Sequence, residues 1–330
     1  MKILLTGATG FMGGNLLRLL AQNPTNELFY ISRGGKIAPA SAGLDKVTCL
    51  TADLTNYSSL LNACQDIETV YHVGAMVSSL EKNRKEMELI NVEGTNNILR
   101  AALEKGVKKF IHVSTVDAVG MEPDGSPANE KTNYNFDQLN NPYADTKTAA
   151  EKCVFEAIKK GLDAVIVNPA YMIGAWDVKG SSSRMVWEIM NGNGKVVSKG
   201  GNSFVDVLDV CQGAILAAEK GKTGERYILA GHNMSYFDFF SLVAKICAKP
   251  KPLLVLPNCL AKGLAFIVEK SASIINKSPM VSYNDVVFST LPHYYNSEKA
   301  QKELGYTINS IEPAVIAAKS WFETNSIRRN

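Results

Sequence analysis

Short apolar runs alternate with amphipathic stretches along the first two thirds of the chain. Between the runs, apolar residues recur at helical spacing, as Leu16, Leu17 and Leu20 do. Strands that alternate with helices are typical of βα units, so the pattern predicts an α/β fold with a doubly wound parallel sheet. The predicted strands cover residues 3–5, 28–31, 47–50, 69–73, 110–113, 164–167 and 224–229.

A glycine-rich turn follows the first predicted strand and opens the first predicted helix. Gly7 allows the tight turn, Gly10 permits close approach of a pyrophosphate, and Gly13 lets the helix pack against the strand. The free amides at the helix start favour phosphate there. The turn therefore predicts a dinucleotide-binding site. We expect its other residues, Thr9, Phe11 and Met12, to line it.

The end of the second strand indicates which dinucleotide fits. An acid there would bind the adenosine ribose, but the chain has Ser32 and Arg33, with Lys36 close behind. A guanidinium suits a phosphate in charge and geometry, so we predict NADP(H) rather than NAD(H). Alternatively, Arg33 stacks on the adenine, which either cofactor permits.

Other candidate ligand contacts also fall at carboxyl ends of predicted strands. Asp53 could cap the next helix or bind an adenine edge, and Gly74, Ser114 and Thr115 end later strands. Ligands of such sheets bind at this edge, so one dinucleotide could contact all of these residues. His72 and His112 lie inside strands, and we expect both to be packed side chains.

Tyr143 and Lys147 are one helical turn apart in a stretch with helical spacing. A nearby ammonium stabilises a phenolate and lowers the tyrosine pKa, so Tyr143 could exchange a proton with a carbonyl or hydroxyl oxygen. Thr115 would give that oxygen a second hydrogen bond.

Composition narrows the classes of function. The 330 residues carry a net charge of only +3, so we expect no nucleic-acid partner. Six scattered cysteines predict neither a metal site nor a disulfide framework and favour a cytoplasmic protein. We expect no leader before the first strand, and no apolar run is long enough to span a bilayer.

These motifs together resemble the extended short-chain dehydrogenase/reductases, a group with nucleotide-sugar epimerases and dehydratases, dihydroflavonol reductases and hydroxysteroid dehydrogenases. The matching segments are residues 7–13, 53–54, 91–95 and 114–115, with Tyr143 and Lys147. The resemblance implies that Tyr143 is the general acid/base, with Thr115 beside it. It also implies that Lys147 binds the nicotinamide ribose and lowers the pKa of Tyr143.

The same resemblance implies further contacts. Those with the cofactor are Leu54, Val73, Ala75, Asn91, Val113, Asn168, Pro169 and Ala170. Those with a small-molecule substrate are Val77, Thr115, Tyr171 and Arg184.

Three features favour the reductase branch. Residues 168–174 begin with Asn-Pro, the second strand ends in Ser-Arg, and Arg184 is the only arginine between Arg100 and Arg226 to hold a sugar nucleotide. We therefore predict an NADP(H)-dependent reductase or dehydrogenase that acts on a carbonyl or secondary alcohol of a fairly apolar substrate. The alternatives are an NAD-dependent nucleotide-sugar epimerase or dehydratase and a non-catalytic nucleotide sensor.

The resemblance also implies how the chain is divided. Residues 1–170 and about 204–230 would form the cofactor domain, and 171–203 with 231–330 a smaller, mainly helical substrate domain. Residues 260–277 have an apolar stripe typical of a helix over the pocket or, alternatively, on a membrane surface. Apolar residues on several sides of the helices at 92–105 and 143–159, including Ala149, Ala150, Val154 and Ile158, predict a homodimer.

Overall fold

All seven predicted strands pair in one parallel sheet. The structure is a computed structural model that describes residues 1–136, 139, 141–263 and 283–325. Its strands are β1 (Lys2–Thr6), β2 (Glu27–Ser32), β3 (Val47–Thr51), β4 (Thr69–His72), β5 (Lys109–Val113), β6 (Ala164–Pro169), β7 (Tyr171–Ile173), β8 (Val196–Ser198), β9 (Gly201–Asp206), β10 (Arg226–Leu229), β11 (His232–Ser235), β12 (Leu254–Leu256) and β13 (Pro292–His293). The large sheet has the order β3-β2-β1-β4-β5-β6-β10, which confirms the predicted doubly wound fold.

Helices follow most of the strands. They are α1 (Phe11–Leu20), α2 (Tyr57–Ala63), α3 (Arg84–Met87), α4 (Gly94–Glu104), α5 (Pro142–Lys159), α6 (Arg184–Met190), α7 (Val207–Lys220) and α8 (Tyr236–Ile246), with further helices at Tyr283–Ser289, Glu298–Leu304 and Glu312–Thr324. A π-helical segment, Glu88–Glu93, joins α3 to α4. The predicted helix at 92–105 therefore begins earlier than its apolar pattern indicated.

The sheet is buried on both faces, which explains the unbroken apolar strand sequences. Ile3 and Leu5 belong to a core with α1 and α7, whereas Leu4 belongs to the opposite core with α4 and α5. Because side chains alternate along a strand, one run of three apolar residues serves both layers. All three side chains are completely buried.

A second, smaller sheet follows the last strands of the large one. Its strand β9 pairs antiparallel with β11 and parallel with β7 and β13. Phe204 of β9 stacks on Phe239 of α8, with ring centroids 3.7 Å apart. Helix α7 then packs against α1, β5 and β6. The proposed domain boundaries remain a prediction.

The apolar residues of α5, from which the sequence predicted a homodimer, can now be located in the structure. Ala150 and Val154 are buried within the chain itself, so part of the apolar surplus on α5 is used without a partner subunit. The homodimer remains a prediction.

All six cysteines are free. Within the described ranges, no helix is both long and apolar enough to cross a membrane. Of the predicted helix at 260–277, residues 264–277 lie outside the described residues.

Candidate active site

The glycine turn between β1 and α1 has the geometry of a phosphate cradle. Gly7 has a φ of +76°, and a Cβ on Gly13 would lie 2.2 Å from the Gly7 carbonyl oxygen. A side chain at either position is therefore excluded. No side chain caps α1, whose N-cap is Gly10. The first amides of the helix, including those of Phe11 and Met12, are thus available for an anion such as a dinucleotide pyrophosphate.

The end of β4 lies directly against this turn. The Gly74 amide donates a hydrogen bond to Thr6 Oγ1 at 2.8 Å, and a Cβ on Gly7 would lie 2.7 Å from the Gly74 nitrogen. Val73, Gly74 and Ala75 are half-buried beside it. The structure therefore brings the predicted contacts from β1 and β4 together at the carboxyl edge of the sheet.

The ends of β2 and β3 supply the next predicted contacts. Arg33 is exposed in the turn after β2, and no ion pair between described residues involves it. The sequence left open that Asp53 caps α2, and this interpretation is wrong. The Asp53 carboxylate accepts bonds from the amide and hydroxyl of Thr55, both at 2.9 Å, and Asn56 caps the helix instead. Contact of Asp53 or Leu54 with an adenine remains a prediction.

Helix α5 carries the predicted Tyr143 and Lys147 to the end of β5. Asn141 caps the helix by accepting a bond from the Ala144 amide at 3.1 Å. The Lys147 ammonium is buried and donates to the Val113 carbonyl oxygen at 2.7 Å. Thr115 lies just beyond Val113 on the same chain segment. Burial lowers the pKa of Lys147 to about 8, so the side chain remains mostly charged at neutral pH.

Asn91 connects two parts of this site. Its side chain accepts a hydrogen bond from the Met76 amide at 2.7 Å and donates to the Met76 carbonyl oxygen at 2.9 Å. It also donates to Thr146 Oγ1 at 3.1 Å, and Thr146 in turn donates to the Tyr143 carbonyl oxygen at 2.9 Å. The buried amide therefore fixes the loop after β4 relative to the start of α5.

A buried network behind Lys147 was missed by the sequence analysis. Glu151 accepts hydrogen bonds from Asn168 Nδ2 at 2.8 Å and from Arg226 at 2.5 Å. Asn168 Nδ2 also donates to the Thr115 carbonyl oxygen at 2.9 Å. Asn168, a predicted cofactor contact, thus joins the Thr115 carbonyl to Glu151 on α5. The spacing of Lys147 and Glu151 could have revealed their common helix face, but Arg226 comes from a distant strand.

Asp117 is a second group that the sequence analysis missed. Its amide donates to Thr115 Oγ1 at 3.2 Å, and burial raises the pKa of its carboxyl group to about 6. Burial and the nearby Asp117 charge raise the pKa of Tyr143 above its usual value. The expected lowering of the Tyr143 pKa by the Lys147 charge remains a prediction. A phenol with a raised pKa is protonated at neutral pH, as a proton donor must be.

The predicted substrate residues are more widely spread. Val77 is 70% exposed in the loop after β4. Tyr171 begins β7, and burial raises its pKa, with a smaller opposite effect from the positive charge of Arg184. Arg184 forms an ion pair with Glu188 at 3.0 Å. Pro169 and Ala170 lie where β6 ends, next to Tyr171.

Both strand histidines are packed side chains, as expected. His72 bonds to Thr6 Oγ1 and Thr95 Oγ1, at 2.7 and 2.9 Å. Burial lowers the pKa of His72 to about 3 and lowers that of His112 well below its usual value. Neither histidine is charged at neutral pH. Among the described residues, no cluster of three metal-binding side chains occurs.

Comparison with known proteins agrees with this geometry. The NAD dependent epimerase/dehydratase family matches residues 3–230. The chain is 32% identical to a Synechocystis sp. protein named after dihydroflavonol 4-reductase, with 97% of this chain and 94% of that protein aligned. It is 30% identical to sterol demethylase protein B of Methylococcus capsulatus, with 98% of each chain aligned. The crystal structure of gox2253 has a TM-score of 0.87 and 33% identity, covering 99% of each chain.

The expected resemblance to the extended short-chain dehydrogenase/reductases, on the side of the dihydroflavonol reductase-like and hydroxysteroid dehydrogenase-like proteins, is thereby confirmed. The chain belongs to the NAD dependent epimerase/dehydratase family and is an enzyme that acts on CH–OH groups with a nicotinamide cofactor.

Proposed function

We propose that the protein is an NADP(H)-dependent reductase or dehydrogenase that interconverts a carbonyl group and a secondary alcohol. Its substrate is a small molecule of fairly apolar character, and its location is the cytoplasm. The observation that carries the proposal is the position of Lys147. Its buried ammonium bonds the Val113 carbonyl on the strand that leads to Thr115, one helical turn from Tyr143. The relatives named after reductases and steroid enzymes support the same chemistry.

Each residue of this group has a distinct part in the proposed reaction. A nicotinamide cofactor, when bound, supplies or accepts the hydride. Tyr143 gives a proton to the substrate oxygen in the reductive direction, and the Thr115 hydroxyl donates a hydrogen bond to the same oxygen. Lys147 places a positive charge near the phenol and so stabilises the phenolate that proton transfer leaves behind.

We expect Tyr143→Phe to remove most turnover and to leave cofactor affinity nearly unchanged. The substitution deletes the proton donor but preserves the aromatic ring, and loss of general acid catalysis costs roughly 100-fold to 10,000-fold in rate. Consumption of NADPH over a panel of ketones and aldehydes measures the first effect, and NADPH titration measures the second. Near-normal turnover in the variant would contradict the proposed mechanism.

The preference for NADP(H) rests on Arg33. Its guanidinium is exposed at the end of β2, the edge where the family's adenosine ribose is expected, and no described acid pairs with it. A free guanidinium can bind a 2′-phosphate through two parallel hydrogen bonds.

Arg33→Ala should weaken NADPH binding and leave NADH binding almost unchanged. Loss of a charge-assisted hydrogen bond costs about 1.5–3 kcal/mol, which is roughly 10-fold to 100-fold in affinity. Titration of both nucleotides into the same preparation supplies the internal control. An equal effect on the two nucleotides would indicate that Arg33 stacks on the adenine rather than binding a phosphate.

The negative charge of Glu151, one helical turn after Lys147, adds a pH dependence to the same proposal. Burial lowers the pKa of Lys147 to about 8, and the negative charge of Glu151 acts in the opposite direction. If the reaction needs Lys147 charged, activity falls as the pH rises through this pKa. Removing the charge of Glu151 lowers the pKa further, so the loss begins at a lower pH.

Glu151→Gln should therefore shift the alkaline limb of the kcat profile to lower pH. We also expect a loss of about 2 kcal/mol in stability, less than for a wholly buried pair, since Arg226 is partly exposed. Glu156→Gln, on the same helix but in an exposed ion pair with Lys159, is the matched control. If both variants keep the alkaline limb of the wild-type pH profile, Glu151 has only a structural role.

A further inference from the structure

Exposed apolar side chains are concentrated in two short segments of the chain, whose strands pair with each other. Of the eleven large apolar residues that are exposed in the described chain, five lie on or beside strands β8 and β12. They are Val196, Leu253, Leu254, Val255 and Leu260, with exposed fractions of 49%, 76%, 52%, 37% and 55%. We call these five residues the ribbon patch.

The backbone holds the ribbon patch together. Strand β12 pairs in parallel with β8, so Leu254 lies opposite Val196. The Leu253 amide donates to the Lys195 carbonyl oxygen at 2.8 Å, which extends the pairing by one residue. The neighbouring Val197 is buried in the core of the small sheet. Because side chains alternate along a strand, Val196 and Leu254 lie on one face of this two-stranded ribbon and Leu253 lies on the other. The ribbon is anchored to the core through Val197.

The segments around the ribbon patch are more positively charged than the rest of the chain. Residues 189–205 and 246–263 contain five lysines, no arginine and no acidic residue, whereas the whole chain has a net charge of +3. The remainder of the chain is therefore slightly acidic. Lys195, Lys199, Lys249 and Lys251 are exposed beside the patch, and Lys262 is half-buried. Among the ion pairs between described residues, none involves these five lysines.

We propose that the ribbon patch docks on the surface of an anionic phospholipid bilayer. Exposed leucines and valines can enter the boundary between headgroups and acyl chains, and lysine side chains can reach the phosphates around them. Each lysine close to such a surface adds to the electrostatic attraction. A second copy of the chain fits less well, because a twofold interface sets the patch against itself and brings like charges together.

Vesicle sedimentation with the full chain tests this proposal. We expect binding to vesicles rich in phosphatidylglycerol, weakened by salt, and at least tenfold weaker binding to vesicles of phosphatidylcholine alone. Leu253→Ser with Leu254→Ser, and separately Lys249→Gln with Lys251→Gln, should each reduce binding to the anionic vesicles severalfold. The readout is binding and not turnover, so its failure leaves the proposed function untouched.

Matched controls come from exposed residues elsewhere on the chain. Ile37→Ser removes an apolar side chain that is 75% exposed, and Lys82→Gln with Lys85→Gln removes two exposed charges. Both controls should bind as the wild type does, with unchanged circular dichroism in every variant. Three results would each overturn the proposal: no binding at low salt, equal loss in the control variants, or a patch variant that only converts an oligomer to a smaller species.

Discussion

The active site depends on a charge buried at the end of a β-strand. Removing an ammonium from water is unfavourable, and the lowered pKa of Lys147 reflects this cost. The Val113 carbonyl oxygen and the negative charge of Glu151 offset part of it. Because α5 must bring Lys147 to this carbonyl, the helix is fixed against β5. Tyr143, one turn earlier, is fixed with it.

A chain of hydrogen bonds extends this constraint through the sheet. Arg226 on β10 binds Glu151 on α5, and Asn168 on β6 joins Glu151 to the Thr115 carbonyl. Three strands and one helix are thus tied to the residues that would contact the reacting oxygen. On the other side, Asn91 ties the loop after β4 to α5. The proposed proton-transfer residues are therefore held by rigid elements, while two of the four predicted substrate residues, Tyr171 and Arg184, lie on later segments of the chain.

The sequence could predict those features of the structure that depend on residues close together in the chain. Strand runs, the glycine turn and the Tyr143–Lys147 spacing each depend on neighbours within one element, and the structure has all three as predicted. The Glu151–Arg226 pair was not predictable, since 75 residues separate its members. Asp53 and Asn56 both suit the start of α2, and only the loop geometry decides between them. The pKa of Tyr143 depends on burial, which its helical spacing from Lys147 does not determine.

We propose that this chain carries out net reduction or oxidation with an exchangeable NADP(H). This is tested by denaturing freshly purified protein, identifying any released nucleotide by mass, and titrating any empty site with NADPH and NADH. We expect released NADP, or an empty site that binds NADPH much more tightly than NADH. Stoichiometric NAD would contradict it, because a retained, oxidised cofactor is what an epimerase or dehydratase needs to remove a hydride and return it.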